Sequence, residues 1–285
     1  MEVVRRAMER LPLIREQLYP APQSSYSLAA LERRYGAERF TVPSINKAIS
    51  RDVTGLLLPV HEGQTASVCI LYSHANGEDL EDAAEIGSRL RKAFMVDVVV
   101  FEYTAYGSPE LRQGYAPCER ALYNDATAAA REMARLRPNA RLVCLGRSLG
   151  GAMAVHAARE LGGRCAALVL LSAFSSAFAT KLDGLALRLA QPLDLYRAAA
   201  ELRAVAPSCA ILVLHGDRDA VVPFKLASRL FDAAVTTHKK LIAVQGADHN
   251  STLGEHWPAV ERALRAFLCA ELHVNGLSCT FSHTY

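Results

Sequence analysis

The sequence has no block of like charge and little charge imbalance: 32 Lys and Arg stand against 29 Asp and Glu, a formal net charge of +3. A nucleic-acid surface needs a concentrated basic stripe, and no Lys/Arg run with interleaved aromatics exists, so no nucleic-acid partner is expected. No stretch approaches the roughly 18 uncharged apolar residues of a spanning helix. The first ten residues carry Glu2, Arg5, Arg6, Glu9 and Arg10, so no apolar signal-peptide core forms there. Nor is there a Cys-x-x-Cys pair. The seven cysteines (Cys69, Cys118, Cys144, Cys165, Cys209, Cys269 and Cys279) are scattered, odd in number, and several sit inside apolar runs. They read as reduced thiols of a cytoplasmic protein, and no metal or other cofactor is called for.

What is present is an ordinary globular composition, 51% hydrophobic and 21% charged, over 285 residues, enough for one large domain with a sizeable core. Residues 1–36 form an N-terminal segment and linker. Val3, Val4, Ala7, Met8, Leu11, Ile14 and Leu18 recur at helical spacing against Arg5, Arg6, Arg10 and Arg15, with Pro12 as an interruption. Such a stretch over residues 1–19 either covers an apolar groove of its own domain, the favoured reading, or lies peripherally on an anionic membrane surface. Tyr19–Ser25 is rich in proline and serine and reads as a linker.

From residue 37 to 285 short apolar runs alternate with helix-like stretches, the pattern of a mostly parallel sheet covered on both faces. The runs are Glu38–Val42, Thr54–Val60, Ser67–Ser73, Val96–Tyr103, Arg141–Leu145, Ala167–Ser172, Ala210–His215 and Lys240–Gln245, about eight strands. The first two lack a helix between them and suit an antiparallel edge; most of the others are continuous apolar runs, as strands buried on both faces are. Helices are predicted over Leu80–Phe94 with Asp79 as N-cap, Cys118–Leu136, Leu149–Leu161, Pro223–Val235 and Pro258–Leu272. The interval near 173–208 is short and reads as a small helical cap.

The run Arg141–Leu145 enters Gly146-Arg147-Ser148-Leu149-Gly150 and a helix follows at once. A serine on so sharp a strand-to-helix turn is presented above the sheet edge as a nucleophile, and the flanking glycines leave room for the turn. The competing reading is a glycine-rich turn made for close helix packing. A hydroxyl needs a general base, and on such a sheet the acid and histidine follow the serine in chain order. Asp219, in the loop after Ala210–His215, is the candidate acid, with Asp217 as its rival; either could instead merely cap the next helix. His249, in Gly246-Ala247-Asp248-His249-Asn250, is the candidate base. His215 stands ahead of the acid loop and His256 begins the last helix, so neither is chosen. For the oxyanion, the backbone N–H of Leu149 is one candidate donor, and that of Asn76 in the loop Ser73–Gly77 is preferred over that of Ala75.

These residues resemble those of the α/β-hydrolases, and the chain is similar in particular to the alpha/beta-hydrolase domain-containing 17 group of protein depalmitoylases, related to the prolyl-oligopeptidase clan of serine peptidases. The resemblance runs from about Tyr19 to the last helix. Its most specific piece is Phe101–Ser108 with Pro117-Cys118-Glu119, Leu122-Tyr123 and Asp125; the segments Ser73–Leu80, Gly146–Gly151, His215–Phe224 and Gly246–Asn250 are similar to that group's oxyanion, nucleophile, acid and histidine loops. The acylated N-terminal cysteine cluster of that group has no counterpart among residues 1–20, Ala75 stands for a glycine, and Asp248 stands for a glycine beside His249. A second carboxylate there is expected to favour the charged imidazole.

The resemblance implies cleavage of an ester or thioester through an acyl-enzyme, with an acylated protein or a small acyl ester or thioester as substrate. Phe174, Phe178, Leu182 and Leu185 are candidate acyl-chain contacts, although core packing is the favoured reading for each. A peptidase of the prolyl-oligopeptidase type shares the Ser, Asp, His order, but no propeller domain precedes this one. A non-catalytic hydrolase-fold scaffold usually lacks a triad residue, and all three are present here.

Overall fold

The computed structural model describes residues 7–9, 11, 15–16, 18–22, 24–44, 51–60, 66–112 and 116–272. Eight strands, β1 (Glu38–Pro43), β2 (Asp52–Leu58), β3 (Val68–Ser73), β4 (Asp97–Phe101), β5 (Arg141–Arg147), β6 (Cys165–Leu171), β7 (Ala210–Gly216) and β8 (Lys239–Val244), form one sheet. Their order is β1-β2-β4-β3-β5-β6-β7-β8. β2 pairs antiparallel with both β1 and β4, and every other pairing is parallel. The antiparallel edge is thus where the missing crossover helix placed it. β2 stops two residues earlier than the apolar run suggests, because Pro59 has no N–H for the ladder and the Val60 N–H turns away to Asp97 Oδ1 at 2.7 Å.

Helices cover both faces: α1 (Leu28–Tyr35), α2 (Leu80–Phe94), α3 (Glu119–Leu136), α4 (Leu149–Leu161), α5 (Gly184–Ala190), α6 (Ala198–Leu202), α7 (Lys225–Ala233) and α8 (Trp257–Leu272). Along β3, Cys69 and Leu71 join the core under α3, α4 and α7, while Val68, Ile70 and Tyr72 join the core under α1, α2 and α8. Both faces of each central strand are therefore apolar, and alternation vanishes from the sequence. Asp79 caps α2 by accepting from the Glu81 and Asp82 N–H groups. α7 is shorter than its pattern, since the Lys239 ammonium donates to the carbonyls of Phe231 and Ala234 where the chain leaves the helix.

Between β6 and β7 lie α5, α6 and two single turns. Leu195, Tyr196, Ala198 and Leu202 anchor this segment in the core, whereas Leu185 and Leu189 of α5 are 70% and 73% exposed. Of the N-terminal apolar stripe, Val3, Val4 and Ile14 and the interrupting Pro12 lie outside the described residues. Met8, Leu18 and Ala21 pack on the domain's own core, while Leu11 is 53% exposed. Glu9 is buried, accepting from the Tyr19 hydroxyl at 2.9 Å and the Glu119 N–H at 2.8 Å. Among the described residues no helix is long and apolar enough to cross a membrane.

Candidate active site

Ser148 sits between the last residue of β5 and the first of α4 with φ 53° and ψ −116°. Positive φ is costly for a residue with a Cβ, so the surroundings must hold it. They do: the Ser148 N–H donates to the Leu171 carbonyl at 3.0 Å, and the Ser148 carbonyl accepts from the Gly151 N–H at 3.0 Å. The turn also needs Gly150, where a Cβ would run into the backbone of Ser73 and His74. That close approach brings the β3–α2 loop against the start of α4.

His249 lies on the loop after β8, its Nε2 3.1 Å from Ser148 Oγ and its Nδ1 2.7 Å from Asp219 Oδ2. A carboxylate can only accept, so Nδ1 carries the proton and Nε2 is left as the acceptor facing the hydroxyl. Asp219 is only 6% exposed. Its Oδ1 accepts from the N–H groups of Val221 at 2.9 Å and Val222 at 2.7 Å. Burial alone would raise its pKa, but hydrogen bonds from His215, His249 and the Val222 amide outweigh it and hold the carboxyl well below its ordinary value. Asp217, the rival acid, is placed elsewhere: exposed, it accepts from the Gly246 N–H at 2.7 Å and so ties the acid loop to the histidine loop. Asp248 accepts from the N–H groups of Asn250 and Ser251 at 2.9 and 2.8 Å, organising the turn that carries His249.

The loop after β3 offers two amides, and they differ. The Ala75 N–H donates to Glu78 Oε2 at 2.7 Å and is thereby committed within the loop. No hydrogen bond among the described residues engages the N–H of Asn76 or of Leu149. The Asn76 side chain is fixed, its Nδ2 donating to the Leu18 carbonyl at 2.8 Å and its Oδ1 accepting from the Tyr106 hydroxyl. Beneath the loop, Glu102 accepts from the Tyr26 hydroxyl, the Leu80 and Tyr103 N–H groups and His74 Nε2, at 2.8 to 3.1 Å. The His74 ring is fully buried between Glu102 and the Ala75 carbonyl, 2.9 Å from Nδ1, so both nitrogens face acceptors, an arrangement that favours the charged ring. Burial opposes that charge, yet the Glu102 carboxylate overcomes it and raises the histidine's pKa. The segment Phe101–Ser108 therefore underlies the β3–α2 loop, with the Tyr103 hydroxyl donating to the His74 carbonyl at 2.8 Å.

Two supports were not foreseen from the sequence. His215, set aside there, lies with Nε2 2.7 Å from the Val222 carbonyl and 3.3 Å from Asp219 Oδ2, bracing the acid from behind. A histidine closing an otherwise apolar strand four residues before an aspartate was the available signal. The other is the hub on Glu102, whose four partners are Tyr26, His74, Leu80 and Tyr103. Of the proposed acyl contacts, Phe174 belongs to the core and Leu185 to the exposed face of α5. Among the described residues no group of three or more His, Cys, Asp or Glu is arranged to hold a metal ion.

The overall fold is shared with solved α/β hydrolases. An esterase of Pyrococcus furiosus superposes with a TM-score of 0.68 at 14% identity, covering 89% of this chain and 98% of that one. A soluble variant of the monoglyceride lipase of Saccharomyces cerevisiae gives 0.62 at 15% identity, covering 90% and 100%. In sequence, an uncharacterized protein of Mycobacterium tuberculosis is 33% identical over 196 residues, 67% of this chain. The alpha/beta hydrolase domain-containing protein aho-3 of Caenorhabditis elegans is 29% identical over 206 residues, 71% of this chain. The matched regions amount to 66% and 58% of those two relatives' own lengths. The model of the prolyl oligopeptidase family matches residues 104–274, a span that takes in Ser148, Asp219 and His249, and the chain belongs to that family.

Proposed function

We propose that the protein is a serine hydrolase that cleaves a carboxylic ester or thioester through an acyl-enzyme. Ser148 is the nucleophile, His249 the base and then the acid, Asp219 the carboxylate that orients the ring, and the N–H groups of Leu149 and Asn76 the oxyanion donors. The observation that carries this reading is the continuous relay from Ser148 Oγ through His249 to Asp219, with contacts of 3.1 and 2.7 Å, on a turn that presents the serine at φ 53°.

In the first step Ser148 Oγ attacks the acyl carbon as its proton passes to His249 Nε2, and the carbonyl oxygen becomes an oxyanion facing the two amides. The imidazolium, stabilised by Asp219, returns the proton to the departing alkoxide or thiolate as the C–O or C–S bond breaks. Water then attacks the acyl-enzyme, giving a proton to His249, which passes it to Ser148 as the acid leaves.

Within this class the reading extends to long-chain acyl thioesters on proteins, the depalmitoylase chemistry. The Phe101–Ser108 and Leu122–Asp125 segments that carry the resemblance support it. So does the short segment between β6 and β7, whose exposed Leu185 and Leu189 offer apolar surface to a fatty chain. A second reading, a peptidase, is favoured by the family match itself.

The test is labelling by a fluorophosphonate probe, compared between the wild-type protein and Ser148→Ala. Labelling that depends on Ser148 is expected; its absence would sink the enzymatic reading in favour of a scaffold. Chain-length profiles on acyl thioesters, oxygen esters and peptide amides then separate the substrate classes, with preferential turnover of amides overturning the ester and thioester assignment.

A further inference from the structure

Arg147 occupies the variable position of Gly146-Arg147-Ser148-Leu149-Gly150, and such a position ordinarily reads as free. Its side chain is nevertheless 10% exposed and faces inward, paired with Glu78, itself 12% exposed. One guanidinium nitrogen donates to Glu78 Oε1. The Arg147 Nη2 donates to the His249 carbonyl at 3.1 Å and to Asn250 Oδ1 at 3.3 Å. Glu78 in turn uses its second oxygen to accept from the Ala75 N–H at 2.7 Å and the Tyr72 hydroxyl at 3.1 Å. Three loops that share no sequence neighbourhood are thus joined through one ion pair: the oxyanion loop after β3, the nucleophile turn after β5 and the histidine loop after β8.

We infer that Arg147 and Glu78 are positioning residues that hold the oxyanion loop and the His249 backbone in register with Ser148. Neither touches a reacting atom. By fixing the Ala75 amide, Glu78 leaves the next one, that of Asn76, as the donor of the loop. By holding the His249 carbonyl, Arg147 fixes the main chain from which the imidazole swings. The planar fork of arginine suits this role because it bonds two partners in different directions at once, whereas a lysine ammonium on a flexible stem lacks that geometry. Small misplacement of catalytic groups is costly to rate, so the clamp acts on turnover more than on substrate binding.

This inference rests on the serine-hydrolase reading, and the experiment separates the two. Removing one partner leaves a buried charge and can unfold the chain, so the main variant is the double change Arg147→Met with Glu78→Gln, beside Arg147→Lys. On p-nitrophenyl butyrate the double variant is expected to lose about 100-fold in kcat with KM within about threefold. Arg147→Lys is expected to keep the wild-type Tm and still lose about tenfold in kcat, since it reaches Glu78 but not the histidine loop as well. Unchanged kcat in either variant overturns the inference. A second readout does not depend on activity: the low-field proton resonance of His249 Nδ1, bonded to Asp219. It is expected in the wild-type protein and to be lost or broadened in the folded double variant. If it persists unaltered there, the clamp is refuted even should the wild-type protein prove inert to the fluorophosphonate.

Discussion

Asp219 serves two ends, orienting His249 with one oxygen and closing its own loop with the other. An amide in its place can still accept but presents its NH2 group to one side, so Asp219→Asn is expected to lower kcat by about 10⁴-fold through the wrong imidazole tautomer, measured on an activated ester. The same carboxyl bears on stability. Its pKa is depressed by folding, so its stabilisation is complete above the ordinary aspartate value and is lost as pH falls through the depressed one. Thermal melts should show the wild-type Tm falling more steeply below about pH 4 than that of Asp219→Asn. His74 has the opposite sign. Its pKa is raised, so its contribution is whole below the ordinary histidine value and fades as pH rises through the raised one. A folded His74→Gln variant should therefore lose less Tm than the wild-type protein on going from neutral to alkaline pH, and an equal loss would count against a charged His74. At this scale Ser148, Asp219 and His249 were legible because glycines punctuate each loop and chain order limits the choices. His215 was not, since its contact with Asp219 exists only once the loop from Gly216 to Val222 has folded back on its own strand.

The elements were easier to read than the contacts between them. Strands β3 to β7 announce themselves as apolar runs because both of their faces are covered, and α2 because Asp79 stands at its start as N-cap, to which the structure adds a capping box with Asp82. Ends were misjudged where a side chain from elsewhere intervened, as Lys239 does at the end of α7. The region between β6 and β7 was read least well: its apolar residues divide between the core and solvent by tertiary packing that no period reveals, so Phe174 turned inward and Leu185 outward. Two variants test packing at this scale. Gly150→Ala puts a methyl group against the Ser73 and His74 backbone, and should cost about 3 kcal/mol in denaturant unfolding. Leu185→Gln with Leu189→Gln, on the open face of α5, should change stability by less than about 0.5 kcal/mol.

Across the whole molecule, the oxyanion, nucleophile, acid and histidine loops follow β3, β5, β7 and β8, which run parallel, so all four emerge at one edge of the sheet. That convergence followed from the alternating pattern alone. The placement of β4 between β2 and β3 did not, and neither did the hydrogen bonds by which the Leu18 carbonyl reaches Asn76 and the Tyr26 hydroxyl reaches Glu102.

The cysteines carry a consequence of a different kind. Cys69, Cys144, Cys165 and Cys209 are at most 1% exposed and lie in the same core, on one face of the sheet, while Cys118 and Cys269 are partly open to solvent. Pulsed iodoacetamide labelling read by mass spectrometry should find the latter two alkylated in the native protein and the buried four only as the sheet opens. The interior thus holds a built-in chemical clock, one that times the parting of neighbouring strands without any probe being added to the chain.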